Sequence, residues 1–428
     1  MKILYYGATG PQVQLLQLAL QRAGYTPGAL DGIFGGGTLR ALRAFQTGYG
    51  LVPDGVAGRM THAALQPWYT GSLSHVLRPG DTFYRLALEY GSTVAAIAIA
   101  NPTLDPLRLP VGALVTIPLP FAVTPTDIDW CSELLRFCCE GLAARYPFLR
   151  RGSIGSSVLG SPLHRLDLGE GTRRVLFNAA HHANEWITVP LLMKYTETLA
   201  RAYAYDQEVF GFPARELLAE AKLTVLPCVN PDGMDLVTGD IRSGPDYDKA
   251  LAIAADYPAL PFPEGWKANL RGTDPNLQYP AGWEQAREIK CAQGFISPAP
   301  RDYVGAAPLE APESRAVYDY TRLFSPVLTL SYHSQGQVIY WKYLDMEPPG
   351  ALELARQFAR ASGYAVESTP YASGFAGYKD WFIQDYNLPG YTIEVGLGEN
   401  PLPLSDFDRI FADNLGILTL ALQGGETT

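Results

Sequence analysis

At 428 residues, and at roughly 150 residues per domain, the chain has room for two or three domains. Lys and Arg number 33 against 43 Asp and Glu, and the resulting charge of −10 argues against a basic nucleic-acid or anionic-membrane face. An apolar share of 47% with 18% charged residues excludes a disordered chain.

The first predicted element is a helix after Gly10-Pro11, with an apolar stripe of Val13, Leu15, Leu16, Leu18 and Leu20 closed by Gly24. A second helical pattern, Thr38, Leu39, Leu42 and Phe45, follows the turn Asp31-Gly32-Ile33-Phe34-Gly35. The phrase repeats as Asp54-Gly55-Val56-Ala57-Gly58 ahead of a third helix at Thr61-His62-Ala63-Ala64-Leu65. These residues, with Phe45-Gln46, resemble the peptidoglycan-binding domain of wall hydrolases, a small three-helix module, here expected over residues 1–70. Trp68-Tyr69-Thr70-Gly71-Ser72 reads as the linker that follows.

Residues 73–119 read as strand, helix, helix, strand. Pro79-Gly80-Asp81-Thr82 offers a cap for a helix over Phe83 to Tyr90, and Asn101-Pro102 stops a second helix begun at Val94. This is similar to the LysM domain, which implies N-acetylglucosamine-containing glycans as partner, with Tyr84 or Tyr90 stacking on a ring or packing in the core. The greasy stretch from Leu109 to Val123 is broken by Pro110, Gly112, Pro118 and Pro120, short of the roughly 18–20 residues a bilayer span requires, so no membrane insertion is expected. The start, Met1 to Gln12, lacks the apolar segment of a signal peptide, and the five cysteines have no paired spacing. Those features imply reduced thiols and a cytoplasmic protein, or one associated with spore or cell wall through a route the chain does not encode.

A stiff Pro-rich linker leads to residues 125–428, expected as one domain. It opens on an amphipathic helix carrying Ile128, Leu134, Leu135, Phe137, Cys138 and Leu142. Extended runs at 174–178, 223–228, 326–331 and 391–395 then alternate with helical ones at 189–202, 311–323 and 351–362. The alternation predicts an α/β domain with a mixed, mostly parallel central sheet and helices on both faces, with its chemistry at the carboxyl ends of the strands.

Strand 175–178 runs into Ala180-His181-His182-Ala183-Asn184-Glu185, where His182 and Glu185, three apart, project from one side of a helical turn as two ligands for zinc. His333, at the end of Val327-Leu328-Thr329-Leu330-Ser331, supplies a third. Glu394 sits inside an apolar strand, where a lone carboxylate costs several kcal/mol unless it has a task, and general base toward water is that task. Arg271 offers a cation for an oxyanion, and Asp274 an acceptor for the second N–H of a ligating histidine.

These motifs resemble the zinc metallocarboxypeptidase family across nearly the whole third segment, which implies one Zn²⁺ on His182, Glu185 and His333, Glu394 as catalytic carboxylate and Arg271 at the oxyanion. The family's substrate-contacting tyrosine matches Tyr371 or Tyr378. Its carboxylate-holding Asn-Arg pair falls on Asn276-Leu277, and leucine binds no carboxylate. Residues 276–283 and Gly377-Tyr378-Lys379-Asp380-Trp381 instead resemble the bacterial branch that cleaves peptidoglycan stem peptides between γ-D-glutamate and a diamino acid. The resemblance implies a wall-tethered zinc peptidase, with a broad-specificity carboxypeptidase or a catalytically dead wall anchor as alternatives. A segment over residues 238–266 is expected as an insertion beside the cleft.

Overall fold

A computed structural model describes residues 1–424; residues 425–428, the end of the third expected domain, lie outside it. The chain divides into two compact units, Met1–Arg151 and Gly152–Thr428.

The first unit begins with three helices, Pro11–Arg22, Gly36–Gly48 and Arg59–Thr70. Its repeated Asp-Gly phrase has a physical origin in two buried glutamines. Gln17 Nε2 donates to Asp31 Oδ1 at 2.9 Å and to Thr38 Oγ1 at 3.1 Å, while its Oε1 accepts from Gly32 N at 3.0 Å. Gln46 repeats the pattern, with Asp54 Oδ1 at 2.8 Å, Thr61 Oγ1 at 3.2 Å and Gly55 N at 2.9 Å. Each amide therefore ties one turn to the start of the next helix, and leaving either site half-satisfied would cost roughly 1–3 kcal/mol per orphaned group.

The linker expected at Trp68–Ser72 is instead helix and strand. Tyr69 is fully buried, stacked on Phe137 at 4.7 Å and hydrogen-bonded to His62 Nδ1 at 2.9 Å, so the third helix continues to Thr70 and stops at Gly71, whose φ of 76° is left-handed. Strand β1 (Ser72–Val76) follows and pairs antiparallel with β2 (Leu114–Pro118), enclosing helices Phe83–Tyr90 and Val94–Ala100, capped by Thr82 and Thr93. Tyr90 bonds to His75 Nδ1 at 3.1 Å and packs inward, leaving Tyr84, 65% exposed, as the solvent-facing ring. Helix Ser132–Arg145, expected to open the third domain, packs in this first unit through Phe137 and an ion pair of the Met1 amine with Glu133 at 2.8 Å. All five cysteines are free.

The second unit is built on an eight-stranded sheet. Its strands in chain order are β3 (Arg150–Ser156), β4 (Pro162–Leu168), β5 (Arg173–Ala179), β8 (Ala221–Leu226), β9 (Leu328–Ser334), β10 (Val338–Tyr340), β11 (Ala365–Glu367) and β12 (Gly390–Val395); β6 (Glu208–Val209) and β7 (Phe212–Pro213) form a separate hairpin. The spatial order is β11-β10-β12-β9-β5-β8-β4-β3, with β11/β10, β12/β9, β9/β5 and β5/β8 parallel and β10/β12 and β4/β8 antiparallel. β5 and β9 carry near-continuous buried residues, as strands covered on both faces must. This is the α/β domain with a mixed, mostly parallel sheet that the alternation of runs predicted. β5, β9 and β12 are neighbours pointing the same way, so their carboxyl ends open on one place.

Candidate metal centre and active site

β5 ends at Ala179, and Ala180, with φ of 52°, turns the chain sharply so that His181 and His182 leave the sheet. A 3₁₀ turn, Ala183–Glu185, then brings Glu185 back against His182, with Nδ1 and Oε1 2.9 Å apart. β9 delivers His333, whose Nδ1 lies 2.9 Å from Glu185 Oε2 and 3.2 Å from His182 Nδ1. The three ligand atoms all lie within 4.8 Å of one another. Tetrahedral zinc, with bonds of about 2.0–2.2 Å, holds its ligands about 3.3 Å apart, so this two-nitrogen, one-oxygen set fits the ion.

The orientation of His182 is fixed from behind. Its Nε2 faces Asp274 Oδ1 at 3.2 Å, which assigns the proton to Nε2 and turns the Nδ1 lone pair toward Glu185 and His333. Burial pushes the Asp274 carboxyl up, but the His182 ring, followed by Lys267, outweighs it and holds the group well below the carboxylate range. Burial likewise lowers His182, yet Glu185 and Asp274 carry it up to about 9. His333 is lowered by burial, and Glu185, despite full burial, is held down by His182 and Lys267.

Glu394 stands in register with His333 across the β12/β9 pairing and lines the same cleft. Burial first and the charge of Glu185 second raise its pKa to about 8, the range a general base needs near neutral pH.

Arg271, expected at the oxyanion, stands apart from the other expected site residues: its side chain is exposed and is not among those lining the cleft, in a turn where Asn269 Oδ1 accepts from the Arg271 and Thr273 amides at 3.0 and 3.2 Å. A cation that reaches the ligand cluster is Lys267, whose Nζ lies 2.8 Å from Glu185 Oε1 with its side chain 17% exposed. Sequence reasoning passed over it, although a lysine between buried Trp266 and Ala268 has the pattern of a charge held inward.

Asn276 lines the cleft and accepts from the Tyr378 amide at 3.2 Å, with Leu277 beside it. The two tyrosines separate. Tyr378 is buried on the cleft wall with its hydroxyl bonded to Thr321 Oγ1 at 3.1 Å. Tyr371 is 65% exposed on the rim, edge-on to the cleft-lining Phe375 at 5.0 Å, and does not itself line the cleft. Residues 238–266 form helix Pro245–Ala255 and a cluster around Trp266, and none of them lines the cleft. Lys290, Arg301, Lys379 and Asp380, none singled out as site residues from the sequence, do line it.

Comparison with known proteins bears on both units. Residues 136–415 match the zinc carboxypeptidase family, residues 9–65 a peptidoglycan binding domain and residues 75–118 the LysM domain. The chain is 42% identical over 284 residues to gamma-D-glutamyl-L-diamino acid endopeptidase 1 of Lysinibacillus sphaericus, covering 66% of this chain and 69% of that protein. A shorter match, 45% over 60 residues, is to the spore cortex-lytic enzyme of Oceanobacillus iheyensis, covering 14% of this chain and 22% of that one. In fold, bovine thrombin-activatable fibrinolysis inhibitor superposes with a TM-score of 0.53 at 20% identity, over 70% of this chain and 98% of its own.

Proposed function

Because the chain belongs to the zinc carboxypeptidase family, we propose that it hydrolyses the amide joining the γ-carboxyl of D-glutamate to a diamino acid in peptidoglycan stem peptides. What carries this reading is the meeting of the His182–Glu185–His333 triangle and Glu394 on one cleft whose residue 277 is leucine rather than a carboxylate-binding cation. The named activity of the Lysinibacillus relative supports it, as do the peptidoglycan binding and LysM matches on the same chain.

Zinc held by His182, Glu185 and His333 supplies Lewis acidity that polarises a carbonyl and lowers the pKa of water. The residues of the chain do the remaining work. Glu394 takes a proton from the attacking water and returns it to the leaving amine of the diamino acid. Lys267 offsets the negative charge that develops on the carbonyl oxygen, the role expected of Arg271. Asp274 keeps the His182 proton on Nε2. The first unit raises the local concentration of wall peptide without touching the bond that breaks. In this reading the protein works at the cell or spore wall; among the described residues no helix is long and apolar enough to cross a membrane.

The test is product analysis on the tetrapeptide L-Ala-γ-D-Glu-diaminopimelate-D-Ala by mass spectrometry. The proposal expects L-Ala-D-Glu and diaminopimelyl-D-Ala. Release of D-Ala alone would make the protein a carboxypeptidase instead.

A further inference from the structure

Beyond the catalytic groups the cleft contains an ion pair that the mechanism does not use. Lys379 and Asp380 are each 3% exposed and both line the cleft. They begin helix Tyr378–Tyr386, where the helix dipole favours the aspartate and opposes the lysine. Burying an ammonium there is doubly unfavourable, and a hydrophobic residue of similar volume would pack at less cost. Yet the pair is carefully held. Asp380 Oδ2 accepts from Gly377 N at 3.2 Å, and Lys379 Nζ donates to Asp380 Oδ1 and, at 2.7 Å, to the Lys342 carbonyl. An ammonium has three donors, so one remains for a ligand.

The position of the pair relative to the reacting groups follows from strand register. Glu394 and Thr392 lie two apart on β12 and face the same side. Val338 pairs with Glu394 and Tyr340 with Thr392; two residues further, Lys342 holds the Lys379 ammonium. One wall therefore runs from Glu394 past Thr392 and Tyr340 to Lys379, over at most about 13 Å of extended chain. Arg301, another cation lining the cleft, is 38% exposed and already paired with Asp302. A substrate side chain that terminates suits the enclosed ammonium of Lys379 better than the more exposed Arg301.

Resting on the γ-D-glutamyl-diamino acid reading of this cleft, we infer that Lys379 binds the remote carboxylate of diaminopimelate, held in place by Asp380, and so selects diaminopimelate over lysine. The second amino-acid centre of diaminopimelate lies roughly 5 Å from its peptide-bonded α-carbon, within the length of that wall. A lysine side chain carries the same remote ammonium without the carboxylate beside it, so it offers Lys379 no anion to bind and leaves the repulsion between the two ammonium groups uncompensated.

The experiment compares kcat/KM of the zinc-loaded full chain on three tetrapeptides, L-Ala-γ-D-Glu-X-D-Ala. X is meso-diaminopimelate, meso-diaminopimelate amidated at the remote carboxylate, or L-lysine. The expected result is a preference of about 10- to 100-fold for the free carboxylate, the strength of one charge-assisted contact, falling below about threefold in both Lys379→Met and Lys379→Gln. The glutamine variant keeps a donor for the Lys342 carbonyl, so both variants need not share a folding defect. A preference that survives in both variants, whatever their absolute rates, would overturn the inference, as would a wild type that does not discriminate. Cleavage of none of the three peptides by the wild type would instead remove the underlying activity, a result distinct from lost selectivity.

Discussion

Glu394 and His333 occupy paired positions on adjacent parallel strands, so the proposed general base and the proposed metal ligand are set side by side by sheet register rather than by a loop. Placement on a sheet buried on both sides holds such groups to the sub-ångström tolerance that proton transfer requires. It also forces a carboxylate into a place that raises its pKa.

The same geometry predicts which cation matters. Lys267→Met is expected to lower kcat by about 100- to 1000-fold, with zinc content retained. Arg271→Ala, at an exposed turn, is expected to stay within about twofold of wild type, because surface substitutions of this kind perturb little. Steady-state kinetics on a wall tetrapeptide distinguishes them; equal losses in both would return the role to Arg271.

In the proposed mechanism Asp274 acts on zinc through His182. Asp274→Asn keeps the shape but weakens the acceptor that fixes the imidazole, and the expected loss of zinc affinity is about 10- to 100-fold. Competition titration against a chelator of known affinity measures it. Unchanged affinity would show that the 3.2 Å contact between His182 Nε2 and Asp274 Oδ1 does not orient the ligand.

Stripped of metal by a chelator, the protein is expected to lose stability as the pH rises from 6.5 to 9. His182, raised to about 9, contributes stability that is complete below its ordinary value of 6.5 and lost as the pH passes 9. Glu394, raised to about 8, favours the fold while protonated, so ionising it between 4.5 and 8 removes stability in the same direction. Glu185 and Asp274, both lowered, stay ionised over this range and add no slope. Thermal scans should show the midpoint falling by roughly 5 °C or more across the window. Added zinc should remove the fall, since its binding displaces these protons. A flat profile in the stripped protein would contradict the charge balance described for the site.

What was legible in the sequence divides along physical lines. The convergence of His182, Glu185 and His333 was legible because His182 closely follows buried β5, Glu185 stands three residues on, and His333 lies near the end of buried β9, where a polar residue has few reasons to stand. The place of Glu394 beside them follows from its position in the apolar strand β12. Which of two cations four residues apart, Lys267 or Arg271, stands nearer the ligand cluster was not legible, because it depends on a turn made by the Asn269 side chain, which leaves no periodic trace. The supposed linker at 68–72 failed because Tyr69 is anchored by Phe137, a residue nearly seventy positions away along the chain, and local turn signals carry no such information. Lys379 and Asp380 stand in the sequence as part of the phrase Gly377-Tyr378-Lys379-Asp380-Trp381. Nothing in their neighbours reveals that a hydrophilic pair at a helix start is 3% exposed. Tyr371 and Tyr378 were separable only once the bond from Tyr378 to Thr321 was seen.

The most direct test of the central claim is a paired measurement on Glu394→Gln: zinc content by elemental analysis and turnover of a γ-D-glutamyl-diaminopimelate tetrapeptide on the same sample. The account predicts one zinc per chain and a loss of turnover of about 1000-fold, within the range of a general base removed from its site. Turnover at the wild-type rate with zinc in place would contradict it.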